Sequence, residues 1–288
     1  MKMKPGLALL LFPLLLACSP IEEHSLPFVV TSIYPIEFIA SYLGEGQIET
    51  KNLTPNGGEP HDYELTPKDV AAMSDAEAVF INGLGMESYE NAFPRYIKKK
   101  TVNLSDKVPT KTVAGKVDPH IFLGLSTYKS MAGKIKETLL KIDGINATKI
   151  EQRYVSFIGR VDSLYRECEA LCLNISPKTI VVSHAAYGYM FDQFGLEQLY
   201  VSGLSPEEEP SPKALESILD AMKEKGIKTV YFEETASSEV AASIAAYTGA
   251  KVATLSAIES RSQSQRESNK DYFDIYLDNF ITMAGGKA

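Results

Sequence analysis

The chain has 288 residues, 37 acidic against 29 basic side chains and a formal net charge of −8. A surface of that sign argues against nucleic acid as a partner and is compatible with attracting cations. Beyond the first residues no apolar run approaches bilayer-spanning length, which argues against an integral membrane body built of helices.

The start of the chain, "MKMKPGLALLLFPLLLACSP", sets two lysines before an apolar run from Gly6 to Leu16. That run is too short for a permanent membrane helix and has the form of a secretory signal, so residues 1–17 are set apart from the fold. Leu15, Leu16, Ala17 and Cys18 resemble a lipobox, whose cleavage leaves Cys18 as a lipidated N-terminus. The alternative is an ordinary signal with an incidental cysteine. The expectation is an extracytoplasmic body tethered to a bacterial membrane. Without Lys2 and Lys4 it carries 27 basic against 37 acidic side chains, a balance of −10.

Residues 18–26 read as a polar tether in which His24 is a solvated bystander. "FVVTSIYP" then reads as a buried strand, "PIEFIASYLG" as a helix ended by Gly44, and "IETKNLTP" as a second strand. Thr66, with Pro67 and Asp69 behind it, predicts a capped helix start. "AEAVFING" and "KTVNLSD" predict further strands on either side of a helix around "MESYENAFPRYIKK". From Ser126 to about Leu171 apolar residues recur at helical spacing, with Gly144 and Asn146 able to interrupt the run.

Alternation then resumes. "TIVVSH" is followed by helix "YGYMFDQFG" and strand "EQLYVSG", and Ser211 caps a helix that Gly226 stops. Strand "IKTVYFEE", helix "SSEVAASIAAYTG" and strand "KVATLS" come next, then a polar loop "SRSQSQRESNKD" and a closing helix "DYFDIYLDNFITMAGG". This order predicts an α/β protein of two lobes with mainly parallel sheets, each lobe with its own core. The lobes are 27–125 and 174–288, joined by a long helix over 126–173. Ligands of such sheets bind beyond the strand ends, here between the lobes.

Cys168 and Cys172 stand four apart in "RECEALC". Export permits a disulfide between them if the helix loosens there, since an unbroken helix points the pair poorly for one. A zinc site from these two alone lacks a neighbouring Cys or His pair.

The other three histidines, His61, His120 and His184, each fall near a predicted strand end or the next segment's start. They are separated by 59 and 64 residues, so a joint site must be assembled by the fold. Each alone reads most simply as a partly buried ring. Together, beside a predicted cleft, they suggest a metal site, since neutral imidazole ligates zinc and other first-row ions.

The segments "PHDYELTPKD", "DPHIFL", "VSHAAYGYMFDQFGL" and "GLSPEEEPSP" resemble, in order and across nearly the whole mature chain, the ZnuA/TroA-like family. These are the solute-binding proteins of zinc and manganese ABC importers. Phe122 stands where a tryptophan is more usual. The resemblance implies two (β/α) lobes bridged by one long rigid helix, with a metal ion in the cleft held by His61, His120 and His184. Its fourth, acidic ligand falls to Glu259 in "LSAIE", ahead of a water molecule or Glu59, although Ala257 replaces a usual proline. Asp62 and Asp118 either orient the ligand rings or cap turns.

Three imidazoles and a carboxylate favour Zn2+ over Mn2+ or Fe2+. The implied role is capture of the ion by a monomer and its delivery to an ABC permease, with the acidic Pro206–Pro210 run a solvated loop or a permease contact. The chief rival, a secreted zinc hydrolase, would need an open coordination position and a general base. Glu233 or Glu234 would supply the base, although both read more simply as strand-end and helix-cap residues. An adhesin-like surface protein has no support in the sequence.

Overall fold

The computed structural model describes residues 24–206, 208, 211–233 and 238–286, with side chains from 243 onward in the last stretch. The leader, Cys18, Glu234 and most of the acidic Pro206–Pro210 run lie outside the described residues. No helix among the described residues is long and apolar enough to cross a membrane.

Two parallel four-stranded sheets organise the chain. The first comprises β1 (Phe28–Thr31), β2 (Glu49–Asn52), β3 (Ala78–Ile81) and β4 (Thr101–Asn103) in the order β2-β1-β3-β4. The second comprises β7 (Thr179–His184), β8 (Glu197–Ser202), β9 (Thr229–Phe232) and β10 (Lys251–Thr254) in the order β10-β9-β7-β8. The central strands β1, β3 and β7 are buried throughout, as parallel strands covered on both faces must be.

Helices α1 (Tyr34–Leu43), α2 (Pro67–Asp75) and α3 (Arg95–Lys98) belong to the first lobe. α2 starts on a capping box: Thr66 Oγ1 accepts from the Asp69 N–H while the Asp69 carboxylate accepts from the Thr66 N–H. The helix predicted over "MESYENAFPRYIKK" is not continuous. It is a 3-10 turn at Glu90–Ala92 and the four-residue α3, separated at Pro94, which cannot sit inside a helix. A hairpin the sequence reading passed over, β5 (Thr112–Val113) with β6 (Lys116–Val117), turns through Ala114 and Gly115, both at positive φ. His24 is no bystander: its ring stacks on Phe28 at 3.8 Å and bonds Glu49 at 2.8 Å, fixing the chain's entry to β1.

The linking segment is two helices, α4 (Leu125–Leu139) and α5 (Ala147–Cys172), separated by a turn at Gly144 and an N-cap at Asn146. α5, with 26 residues, is about 39 Å long at 1.5 Å per residue. It continues unbroken to Cys172, and both cysteines are free, buried thiols. Four residues apart on an intact helix, Cβ atoms stand roughly 5–6 Å apart. A disulfide needs about 3.5–4.5 Å, so the bridge that a loosened helix would have permitted is not formed.

The second lobe adds α6 (Gly188–Asp192), α7 (Pro212–Lys225), α8 (Ser238–Thr248), α9 (Gln263–Glu267) and α10 (Tyr272–Met283). α7 is capped by Ser211 and ended by Gly226 at φ 65°. α9 interrupts the stretch read as loop, carried by a Ser262–Gln265 capping box.

Each lobe has an apolar cluster of its own, and a larger one joins the two. One apolar cluster runs through both, with Phe38 of α1, Tyr128 of α4, Phe157 of α5 and Tyr272 and Phe273 of α10. Tyr128 and Tyr272 stack at 4.1 Å, and Phe273 meets Phe38 edge-on at 5.4 Å. Smaller clusters cover one face of each sheet, such as Val30, Met73, Val79 and Ile81 in the first and Val181, Ile218, Met222 and Val230 in the second.

Candidate metal centre

Four chain segments converge between the lobes. His61 lies in the loop from β2 to α2, and His120 just before a 3-10 turn at Ile121–Leu123. His184 ends β7, and Glu259 lies in the loop after β10. Ile258, immediately before Glu259, is buried and held at φ 61°, a left-handed conformation costly for a β-branched residue. The Glu259 carbonyl accepts from the Tyr34 N–H of the first lobe at 3.2 Å, tying the loop across the junction.

One ligand atom from each of the four lies within 4.8 Å of the others. His120 Nε2 is 3.1 Å from Glu259 Oε1, and His61 Nε2 is 3.3 Å from His120 Nε2. His184 Nε2 and His61 Nε2 are 3.6 and 3.7 Å from Glu259 Oε1. A tetrahedron with bonds of about 2.0–2.1 Å has edges of roughly 3.3–3.4 Å, so these spacings match the edges of a zinc coordination shell. His120, His184 and Glu259 are buried, and His184 Nε2 and Glu259 Oε1 have no hydrogen-bond partner. Buried polar atoms seldom go unpaired, and a cation at their centre would satisfy both.

Two of the rings are locked. His120 Nδ1 bonds Asp118 Oδ1 at 2.8 Å, and His184 Nδ1 bonds Glu233 Oε1 at 2.7 Å. With Nδ1–H donating, each Nε2 presents its lone pair to the centre. Asp118 Oδ1 also accepts from the His120 backbone N–H at 2.9 Å. Asp62, by contrast, is exposed in the turn after His61. Glu59 is outside the four-residue group. It accepts from the His61 N–H at 3.1 Å and lines a small mouth of about 60 Å3 with Gly58, Glu233, Glu259 and Ser260.

Glu233 was weighed in sequence as a base or a helix cap, yet its carboxylate is engaged by the His184 ring and the Ser183 hydroxyl, each at 2.7 Å. The signal for this lies in the sheet register. β7 neighbours β9 with Val182 opposite Tyr231, so two residues on His184 stands beside Glu233.

Burial opposes charge on His120 and His184, but the facing carboxylates outweigh it. Asp118 and Glu259 raise His120, while Glu233 and Glu259 raise His184 well above the usual histidine range. Burial likewise opposes charge on Glu259, and the His120, His184 and His61 rings overcome it, holding the carboxyl well below its ordinary value. Glu59 is pushed up to about 8, by burial and then by the Glu259 charge.

Residues 29–286 match the model of the ZnuA family, described as zinc-uptake complex component A, periplasmic. The chain belongs to this family. Among curated relatives, the zinc-binding protein AdcA of Streptococcus pyogenes is 29% identical over 286 residues, covering 88% of this chain. The chain spans about half of that relative's length, 55%. The high-affinity zinc uptake system protein ZnuA of Bacillus subtilis is 28% identical over 269 residues, covering 87% of this chain and 84% of that protein. Among solved structures, the laminin-binding protein Lmb of Streptococcus agalactiae, described as a bifunctional protein with adhesin and metal-transporting activity, superposes with a TM-score of 0.81 at 28% identity. That match covers 90% of this chain and 98% of the other. The fold of two parallel-sheet lobes is thus one this ZnuA family member shares with solved relatives.

Proposed function

We propose that His61, His120, His184 and Glu259 bind Zn2+ and that the protein carries the ion to the permease of an ABC importer. The observation that carries this reading is the closed set of four ligand atoms at tetrahedral spacing, with two rings each bonded to a carboxylate behind it. Three nitrogens and one oxygen in a four-coordinate shell suit zinc. Mn2+ and Fe2+ prefer more oxygen and higher coordination number and are disfavoured here. Charge favours a cation as well: Zn2+ with the Glu259 carboxylate leaves one positive charge, faced by the buried Asp118 and the partly buried Glu233 carboxylates.

A hydrolase needs an open position on the metal and a free base. Here Glu259 fills the fourth position and Glu233 is occupied by His184 and Ser183. Transport also accords with the zinc-uptake family and with a leader ending at a lipidated Cys18, which would keep the carrier as an extracytoplasmic monomer beside its permease. The shared core resists wide opening of the lobes, so release proceeds by small lobe shifts and local loop movement.

Metal analysis of protein purified without added metal, beside a His184→Ala variant, tests the site. Close to one zinc per wild-type chain and marked depletion in the variant are expected. Equal zinc in both removes His184 from the site.

A further inference from the structure

The segment carrying His120 is held from the opposite lobe at several points: the Tyr272 and Tyr276 hydroxyls donate to the Phe122 and Leu123 carbonyls on its far side, and one hydroxyl holds it ahead of His120. Tyr189, on α6 and almost fully buried, reaches across the junction. Its hydroxyl accepts from the Lys111 N–H at 2.8 Å and donates to the Asp118 carbonyl at 3.1 Å. These residues bracket the β5–β6 hairpin and are themselves joined, the Asp118 N–H donating to the Lys111 carbonyl at 2.9 Å. The hydroxyl thus closes the neck of the hairpin at the residue whose carboxylate fixes the His120 ring. The Asp118 side chain also rests on the second lobe: a Cβ added at Gly188, where α6 begins, would lie 3.1 Å from Asp118 Oδ2.

We infer that Tyr189 is a positioning residue for the metal. It sets the Asp118 backbone from the far lobe and, through Asp118, the His120 ring, so the grip on the ion depends on how the lobes are seated. The assignment rests on His120 being a ligand. Without the hydroxyl, the half-buried Lys111 N–H and the buried Asp118 carbonyl each lose a partner, and the neck shifts to recover one. Metal geometry is sensitive to such displacements, and losing an outer partner of a metal-binding histidine weakens metal affinity by roughly 10–100-fold. Tyr189 acts one bond further out, so the low end of that range applies.

The test is Tyr189→Phe in the full mature chain, which removes one oxygen and keeps the ring's packing. Zinc dissociation into excess chelator is expected to be about tenfold faster. The visible spectrum of the Co2+-substituted protein, which reports ligand geometry rather than global stability, is expected to shift. Asp118→Asn supplies a double-mutant cycle: if Tyr189 works through Asp118, adding Tyr189→Phe to it has little further effect. Asp192→Ala is the control. It breaks the exposed Lys111–Asp192 ion pair at the same junction and is expected to leave dissociation unchanged.

An unchanged rate and spectrum in Tyr189→Phe, additive effects with Asp118→Asn, or equal acceleration by Asp192→Ala would overturn the inference. His120→Ala separates the two levels. If it keeps zinc as wild type does, the site assignment falls and takes this inference with it. If it loses zinc while Tyr189→Phe is silent, only the inference falls.

Discussion

Glu233→Gln isolates a single charge behind a metal-binding ring. The amide keeps the volume and an oxygen that can accept from His184 Nδ1, so the 2.7 Å contact and the ring's orientation survive and the negative charge is lost. The Nδ1–Oε1 distance, the width of an imidazole and a Zn–N bond of about 2 Å put the carboxylate roughly 6.5 Å from the ion. At an effective dielectric of about 20, a divalent ion there gains about 5 kcal/mol from the carboxylate. The same carboxylate also favours the protonated His184 ring that zinc must displace, by about 4 kcal/mol for a unit charge near 4 Å.

The difference, about 1 kcal/mol, sets a floor, and the lower basicity of the ring adds to it. Loss of zinc affinity should therefore fall in the range found for outer partners of metal-binding histidines, about 10–100-fold or roughly 1.4–2.7 kcal/mol. Competition titration against a chelator of known affinity at pH 7.5 measures it. A Kd within twofold of wild type would refute the assignment of Glu233 as an electrostatic support for His184.

In the metal-free protein, His120 and His184 are raised above 6.5, so zinc binding must release protons. Calorimetry in two buffers of different ionisation heat should give different apparent enthalpies near neutral pH, and equal heats would contradict this. Stability of the metal-free protein follows the same groups. The raised histidines stabilise fully below 6.5 and lose that contribution as pH rises through their shifted values. The depressed Glu259 stabilises above 4.5 and loses that contribution as pH falls through its lowered value. Metal-free Tm should therefore fall as pH rises above about 6.5 while zinc-loaded Tm does not, and parallel profiles would be inconsistent with these shifts.

A chain beginning after Cys18 should show two thiols by Ellman titration in denaturant without reductant and almost none when native. Zero in denaturant would mean that Cys168 and Cys172 are bridged. Phe273→Ala should cost about 3–5 kcal/mol by chemical denaturation, and a loss under 1 kcal/mol would deny its place in the shared core.

Much of the architecture could be read from local signals. The Thr66 and Ser211 caps, the Gly226 stop and the apolar runs of β1, β3 and β7 are written within a few residues each, and the folded chain uses them as written. The three histidines stood out by scarcity and by their places near strand ends, whereas Glu259 was reached only through the family resemblance of "LSAIE". What escaped depends on distant partners. Glu233 meets His184 only because β9 lies beside β7, a fact of strand order rather than of spacing. The β5–β6 hairpin is too short to show a period-two pattern. The polar "SRSQSQRESNKD" stretch hid a one-turn helix in its Ser262–Gln265 pair. Cys168 and Cys172 were separated by the stiffness of an α-helix that runs to its last turn.

The last helix of the chain fills the seam between the halves, with Tyr272 and Phe273 inserted among side chains from α1, α4 and α5. Until that helix is made, the apolar side chains it covers at the seam stay open, because its partners lie far back along the polypeptide. Such late, far-reaching contacts slow maturation. They also make this helix hard to spare: a truncation just before Tyr272 would uncover Phe38, Tyr128 and Phe157 together, and with them the seam that joins the halves.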